Sequence, residues 1–252
     1  MTALEELKRK LDQLSPTGVR FVARMVEALS APPKVMLEAH DSWLTDGWIE
    51  YFGLALSVHH GTTTEPLAQK GFETVFSNAC EASGWEVGDP VSETHRFLDL
   101  EIQRPGSPRQ KLSLKSTAAQ RLSRTSAHIS KLTEAAWIQD MRTARERRDR
   151  TLSLFRAYVD AVDSIIMLRA FREGKTIPSR YQLIEIPTGI FESLETTPLS
   201  AFNADGPTIN CSYRGHDVAA CVSLDRSDAK ITIKKISLAA CTVHVEWEMT
   251  AK

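Results

Sequence analysis

The sequence predicts an α/β protein in which a mixed sheet is flanked by helices, and three observations carry that reading. The first thirty residues have helical periodicity, with Leu4, Leu7, Leu11 and Leu14 on one stripe and Phe21, Val22, Met25, Val26 and Leu29 on the next. In mid-chain, Phe97 to Thr117 alternates apolar and polar residues on either side of a turn. The C-terminal third is grouped into short runs rich in β-branched residues. A helical N-terminal segment, a central hairpin, a long helix and then strands describe a layered α/β organisation.

Taken in order, Ser15-Pro16 separates the first two helices, because serine caps a helix start and proline is tolerated at its first position. This pair suits packing or self-association. A second helical pattern runs from about Pro66 to Ala82 and turns Leu67, Phe72, Val75, Phe76 and Ala79 toward a core while carrying Glu73. After the hairpin, Ala127 to Phe171 reads as strongly helical, with Trp137, Ile138, Met141, Leu154, Phe155, Tyr158, Val162, Ile165 and Ile166 forming a wide apolar face. RYQLIEIP (180–187), CSYRG (211–215), AACVSLD (219–225), AKITIKKISL (229–238) and CTVHVEWEM (241–249) read as strands. ETTPLSAFNADGPT (195–208) is expected to be a long mobile loop. Trp137 and Trp247 are expected in the core rather than as stacking platforms. Tyr181, Gln182 and Glu185 fall on a central strand, with core structure and ligand contact both open to them.

Composition narrows the function. At 252 residues and 42% hydrophobic, the chain can bury one large core, and a single domain over residues 1–252 is expected. No run of eighteen apolar residues exists, so no membrane span is expected, and the charged amphipathic N-terminus does not resemble a signal peptide. Cys80, Cys211, Cys221 and Cys241 lack C-x-x-C spacing, which argues against a zinc knuckle or a disulfide framework and fits a reduced, cytoplasmic protein. No Gly-x-Gly-x-x-Gly, Walker-type loop or Gly-x-Ser-x-Gly elbow is present. The net charge of −1 hides a strong asymmetry. Residues 38–101 hold twelve Asp and Glu against Lys70 and Arg96, whereas residues 104–150 hold twelve Lys and Arg against four acids. An acidic segment running into a basic one suits a site that binds cations beside a polyanion, although RTARERRDR (142–150) also fits a solvated helix face.

The hairpin carries the chemistry. In FLDLEIQ, Leu98, Leu100 and Ile102 oppose Asp99 and Glu101; in KLSLKST, Leu112 and Leu114 oppose Lys111, Ser113 and Lys115. RPGSPR between them is turn chemistry. Pairing these strands brings Asp99 near Ser113 and Lys115. A carboxylate there can hold a hard divalent cation, and a lysine can orient a water or neutralise a five-coordinate phosphate. Asp99 and Lys115 can equally be an ordinary cross-strand ion pair.

An acid on one strand followed by acid-x-Lys on the next resembles the PD-(D/E)xK nucleases. The match is incomplete, because Ser113 stands where that pattern has its second acid. The surrounding text is more specific: WIEYFGLALSVHH (48–60), FETVF (72–76), LKSTAA (114–119), SRTSAHISK (123–131), YQLIEIP (181–187) and ISLAACTVHVEW (236–247) resemble, in order and spacing, the SmaI-like type II restriction endonucleases. That resemblance implies a restriction-endonuclease-like fold with its catalytic core at residues 66–131 and a β-rich portion at 180–249. It also implies a homodimer acting on double-stranded DNA with Mg²⁺, alongside a cognate DNA methyltransferase. CCCGGG is the implied target, and 5′-phosphate and 3′-hydroxyl ends are the implied products. Carried over residue by residue, Asp99 corresponds to the metal-binding acid, Lys115 to the catalytic lysine and Glu73 to the glutamate of FETVF; metal chemistry at that point would use Asp99 with Glu73 and the Leu114 carbonyl, with Glu101 a second acidic candidate on the strand face. Arg121, Arg124, His128, Ser130 and Lys131 are placed to meet DNA. His59 and His60 either lie at the DNA surface or support the helix bearing Glu73. A loosely specific nuclease of the same fold and a DNA-binding module with a degenerate site are the rival expectations.

Overall fold

Capping chemistry starts the chain. In the computed structural model, which describes residues 2–37, 39, 42–88, 96–174 and 176–249, Thr2 and Glu5 form a reciprocal capping box that opens α1 (Ala3–Leu11). Ser15 accepts from the Gly18 amide, with Pro16 in the first position of α2 (Pro16–Leu29). Both helices agree with the sequence. Their apolar stripes, however, meet little of the protein: α1 buries no residue and α2 only Ala28.

The elements then run β1 (Lys34–Leu37), α3 (Asp46–Thr62), α4 (Gln69–Ala82), β2 (Glu86–Gly88), β3 (Leu100–Gln103), β4 (Arg109–Thr117), β5 (Ser126–Glu134), α5 (Ala144–Ala161), β6 (Ser164–Phe171), β7 (Arg180–Pro187), β8 (Thr208–Tyr213), β9 (His216–Asp225), β10 (Lys230–Ser237) and β11 (Thr242–Glu248). Seven strands form a mixed sheet in the order β1-β11-β7-β6-β4-β3-β2. Its one parallel pair is β4 with β6, and the connection between them includes α5. The other four strands make a separate antiparallel sheet, β5-β10-β9-β8.

The large sheet is covered differently on its two faces. On one lie α3 and α4, whose Trp48, Phe52, Phe72 and Phe76 pack with Leu114, Ile166, Leu183 and Trp247. Phe52 stacks on Trp247 at 4.9 Å and on Trp48 at 5.0 Å. Gly53 permits this approach, since a Cβ there would stand 3.1 Å from the Trp247 indole nitrogen. Each fully buried Phe contributes roughly 1.5–3 kcal/mol of transfer free energy. On the other face, Ile165, Met167, Ile184 and Ile186 meet Phe155 and Tyr158 of α5 and, from the small sheet, Ile129, Val222 and Ile233. Among the described residues, no helix is long and apolar enough to cross a membrane.

Three expectations change. The stretch 127–171 is helical only over α5 and a short 3-10 helix at Ala136–Gln139, because β5 and β6 replace its two ends. In β5 the buried Ala127 and Ile129 alternate with exposed His128 and Ser130, and SIIMLRAF is buried on both faces, a pattern that periodicity cannot tell from a buried helix. Residues 195–208 are not a loose loop: short 3-10 helices run Thr188–Thr196 and Leu199–Phe202, and Phe202 is fully buried. Finally, part of the β-rich C-terminal third forms a second sheet, so strands as well as helices flank the mixed sheet.

Candidate functional site

The hairpin sets the geometry. Strands β3 and β4 pair with Leu100 opposite Leu112 and Glu101 opposite Lys111, and the Asp99 amide, just before β3, donates to the Leu112 carbonyl at 3.0 Å. Asp99 is thereby held against Ser113. Its Oδ2 accepts from the Leu114 amide at 2.7 Å, from Ser113 Oγ at 3.0 Å and from Lys115 Nζ at 3.0 Å. Oδ1 has no hydrogen-bond partner among the described residues and is available to a ligand. Lys115 Nζ also donates to the Leu114 carbonyl at 3.0 Å. With side-chain exposures of 19% and 29%, the Lys115–Asp99 pair is too wet to be a major source of stability; such pairs contribute about 0–1 kcal/mol.

Glu73 reaches the same place from α4. Gln69, one turn earlier, donates from Nε2 to Glu73 Oε1 at 2.8 Å and to the Leu114 carbonyl at 2.7 Å. Gln69 Oε1 in turn accepts from the Ser116 amide at 2.7 Å. One carboxamide thus ties the helix acid to the strand carbonyl beside Asp99. The sequence reading did not single out Gln69; its signal was the four-residue spacing to Glu73 on a helix. Lys70, itself exposed, adds a 3.4 Å ion pair to Glu73.

Gln69, Glu73, Asp99 and Lys115 line a cavity of about 340 Å³ whose far wall is β5, with His128, Ser130 and Lys131. Lys131 is paired with Glu134 at 2.6 Å. Partial desolvation against the cavity wall, with Lys234 and Lys230 nearby, lowers the His128 pKa from its ordinary value even though the residue is largely exposed. The cavity's acidic oxygen donors are the two carboxylates of Glu73 and Asp99, with no thiolate among the lining residues, while the Leu114 carbonyl already accepts from Gln69 and Lys115; carboxylates suit a hard cation that keeps several of its own waters. No cluster of three or more His, Cys, Asp or Glu that could hold a metal occurs among the described residues.

Other candidates lie elsewhere. Glu101 faces Arg109 at 3.6 Å and does not line the cavity. Ser113 is buried and donates to Asp99, so it orients that carboxylate rather than replacing an acid. His59 and His60 end α3: His59 Nε2 meets the Glu65 carbonyl at 2.8 Å, while the buried His60 bonds Tyr181 Oη at 2.8 Å and the Thr63 carbonyl at 3.0 Å. Tyr181 Oη then accepts from the Leu67 amide at 3.1 Å. Both histidines thus hydrogen-bond within the α3–α4 connection, and His60 is 9% exposed. Burial also lowers the His60 pKa from its ordinary value. Tyr181 and Gln182 are core residues, as is Trp247. Arg121 and Arg124 line a neighbouring cavity of about 650 Å³.

A residue-level comparison bears on this geometry. The chain is 25% identical over 212 residues to the type II restriction enzyme SmaI of Serratia marcescens, spanning 81% of this chain and 80% of that enzyme. This chain is similar to a restriction enzyme. No protein-family model matches it, and no solved structure matches it. The mixed seven-stranded sheet with its helices is compatible with a restriction-endonuclease-like fold.

Proposed function

We propose that this protein is a Mg²⁺-dependent type II restriction endonuclease of the PD-(D/E)xK kind, with one restriction-endonuclease-like domain over residues 1–252. The carrying observation is that Asp99 and Glu73 line one cavity with Lys115, whose Nζ lies 3.0 Å from Asp99, in a chain similar to SmaI over most of its length.

Asp99 and Glu73 would hold the cation with the Leu114 carbonyl. When bound, the cation lowers the pKa of a water and screens the charge of the scissile phosphate. Lys115, already aimed at this point by its bonds to Asp99 and Leu114, positions the attacking oxygen and offsets negative charge as phosphorus becomes five-coordinate. Water oxygen bonds to phosphorus, the P–O3′ bond breaks, and the 3′ oxygen takes up a proton, leaving a 5′-phosphate and a 3′-hydroxyl. Ser113 and the Leu114 amide hold Asp99 Oδ2, which leaves Oδ1 directed to the ligand. His128, Ser130 and Lys131 line the path of the DNA backbone, and Arg121 and Arg124 face the DNA from the neighbouring cavity.

The substrate on this reading is a short G/C-rich palindrome in double-stranded DNA, with CCCGGG the first to test, and the enzyme works in the cytoplasm beside a methyltransferase that protects host sites. A palindrome is read by a two-fold dimer. Of the eleven large hydrophobics exposed among the described residues, seven fall between Leu4 and Leu29, and a second copy would cover them. Leu7→Glu with Phe21→Glu is then expected to convert a dimer to a monomer in light scattering; a monomeric wild type contradicts this. A second reading, DNA binding without cleavage, is favoured by Ser113 in place of an acid. Digestion of a sequenced plasmid with Mg²⁺, followed by mapping of the ends, separates the two.

A further inference from the structure

Of the two arginines buried among the described residues, Arg147 and Arg169, the second lies within the large sheet. Arg169 of β6 is 1% exposed, and its guanidinium donates to the carbonyls of Ser123 and Ser126 and to Gln182 Oε1. Gln182 passes the polarity on to Glu246, which Arg180 pairs at 2.8 Å. Thr117, Arg169, Gln182 and Glu246 stand in one register row across β4, β6, β7 and β11. Burying a cation costs several kcal/mol unless its bonds are good. Here one bond goes to Ser123 in the β4–β5 connection and one to Ser126, the first residue of β5, so the charge clamps the end of that connection to the sheet.

What the clamp holds in place is unpaired charge. The connection carries Arg121, in the left-handed region at φ 58°, and Arg124. Both line the cavity of about 650 Å³ together with Glu173 and Glu248. None of these four side chains has an ion-pair or hydrogen-bond partner among the described residues. Arg172 and Arg180 of the same cavity are paired, with Glu65 at 3.1 Å and Glu246 at 2.8 Å. Free arginines alone would suit phosphate, but free glutamates beside them would repel it. A ligand presenting acceptors and a donor together satisfies both. In the major groove, guanine offers O6 and N7 as acceptors and its cytosine offers an N4 amino donor.

We propose that this second cavity reads a guanine–cytosine pair, with Arg121 and Arg124 donating to guanine and Glu173 and Glu248 accepting from cytosine. The proposal rests on the nuclease reading above. Strand β4 links the two sites: its Lys115–Thr117 end lines the catalytic cavity, and Gln120, Arg121, Leu122 and Arg124 line the reading cavity shortly after it. Arg169 acts as a positioning residue, meeting no DNA itself.

The test is a digest of a duplex library randomised one base pair at a time, with wild type, Arg121→Ala, Arg124→Ala, Glu173→Gln, Glu248→Gln and Arg169→Gln, and with each fold checked by circular dichroism. At least one surface variant of each sign is expected to lose about 5- to 150-fold of discrimination at a symmetric pair of G·C positions, the worth of one bidentate base contact, while still cutting. Arg169→Gln is expected to relax the same positions. Unaltered discrimination in all four surface variants, or relaxation at A·T positions instead, overturns the proposal and leaves the nuclease reading intact. A wild type that cuts no duplex removes both. If Arg169→Gln does not fold, the exposed variants decide the matter.

Discussion

The two cavities at the end of β4 are built on opposite plans. Around Asp99 nearly every polar group is bound: three donors meet one carboxylate oxygen, and Gln69 joins Glu73, Leu114 and Ser116. Among the described residues the charged tips of Arg121 and Arg124 have no partner, while the backbone beneath them is tied by Arg169 and by Ser123 and Leu238. Chemistry on phosphorus needs groups that do not move while charge develops. Recognition instead needs groups whose bonds are still to be made, because a side chain already paired gains little from a ligand.

The largest effects should come from breaking the bound cavity. Lys115→Ala and Asp99→Ala are each expected to lower cleavage at least about 10²-fold while DNA binding, followed by fluorescence anisotropy, stays measurable; full activity in either would remove the assignment. Gln69→Ala leaves every presumed ligand in place but unties two of them. Its expected signature is a roughly 10- to 100-fold weaker metal affinity, measured by titration calorimetry with Mn²⁺, and an unchanged affinity would make Gln69 merely structural. His60 offers a smaller test. Because its folded pKa is lowered, the unfolded chain takes up the proton first, so stability is present above the ordinary histidine pKa and falls as pH drops from about 7 toward 5. A His60→Gln variant should show a flatter decline of Tm over that range, and a parallel decline would assign the acid sensitivity elsewhere. Glu101→Ala marks the lower limit: with its charge on Arg109 outside the cavity, cleavage should remain within about 2-fold, the usual range for a surface substitution of under 0.5 kcal/mol.

How legible these features were depended on the range of the interactions that make them. The hairpin was visible because alternation and a Pro-Gly turn are local, and β7, β10 and β11 fell within a residue or two of their expected bounds. The α4 helix with Glu73 was also visible. Strand β6 was not, since Ser164 to Ala170 are buried on both faces and show no period. The small sheet depends on β5 pairing with β10, about a hundred residues later, which no local pattern encodes. The meeting of Asp99 and Lys115 could be argued from register, but the clamp of Arg169 on Ser123 and Ser126 could not, because nothing in SIIMLRAF distinguishes a buried arginine from a solvated one. Ser113 shows the limit of matching by pattern: an apparent defect in the motif turns out to be a donor that orients Asp99.

The central claim is that the bound cavity hydrolyses DNA through Asp99, Glu73 and Lys115. Its most direct test is a plasmid digest with Mg²⁺, comparing wild type with Lys115→Ala and sequencing the ends. Discrete fragments bearing 5′-phosphates at one palindromic site, absent with the variant, are the predicted result. No cleavage by wild type with any divalent metal, or the same fragments from both proteins, would contradict it.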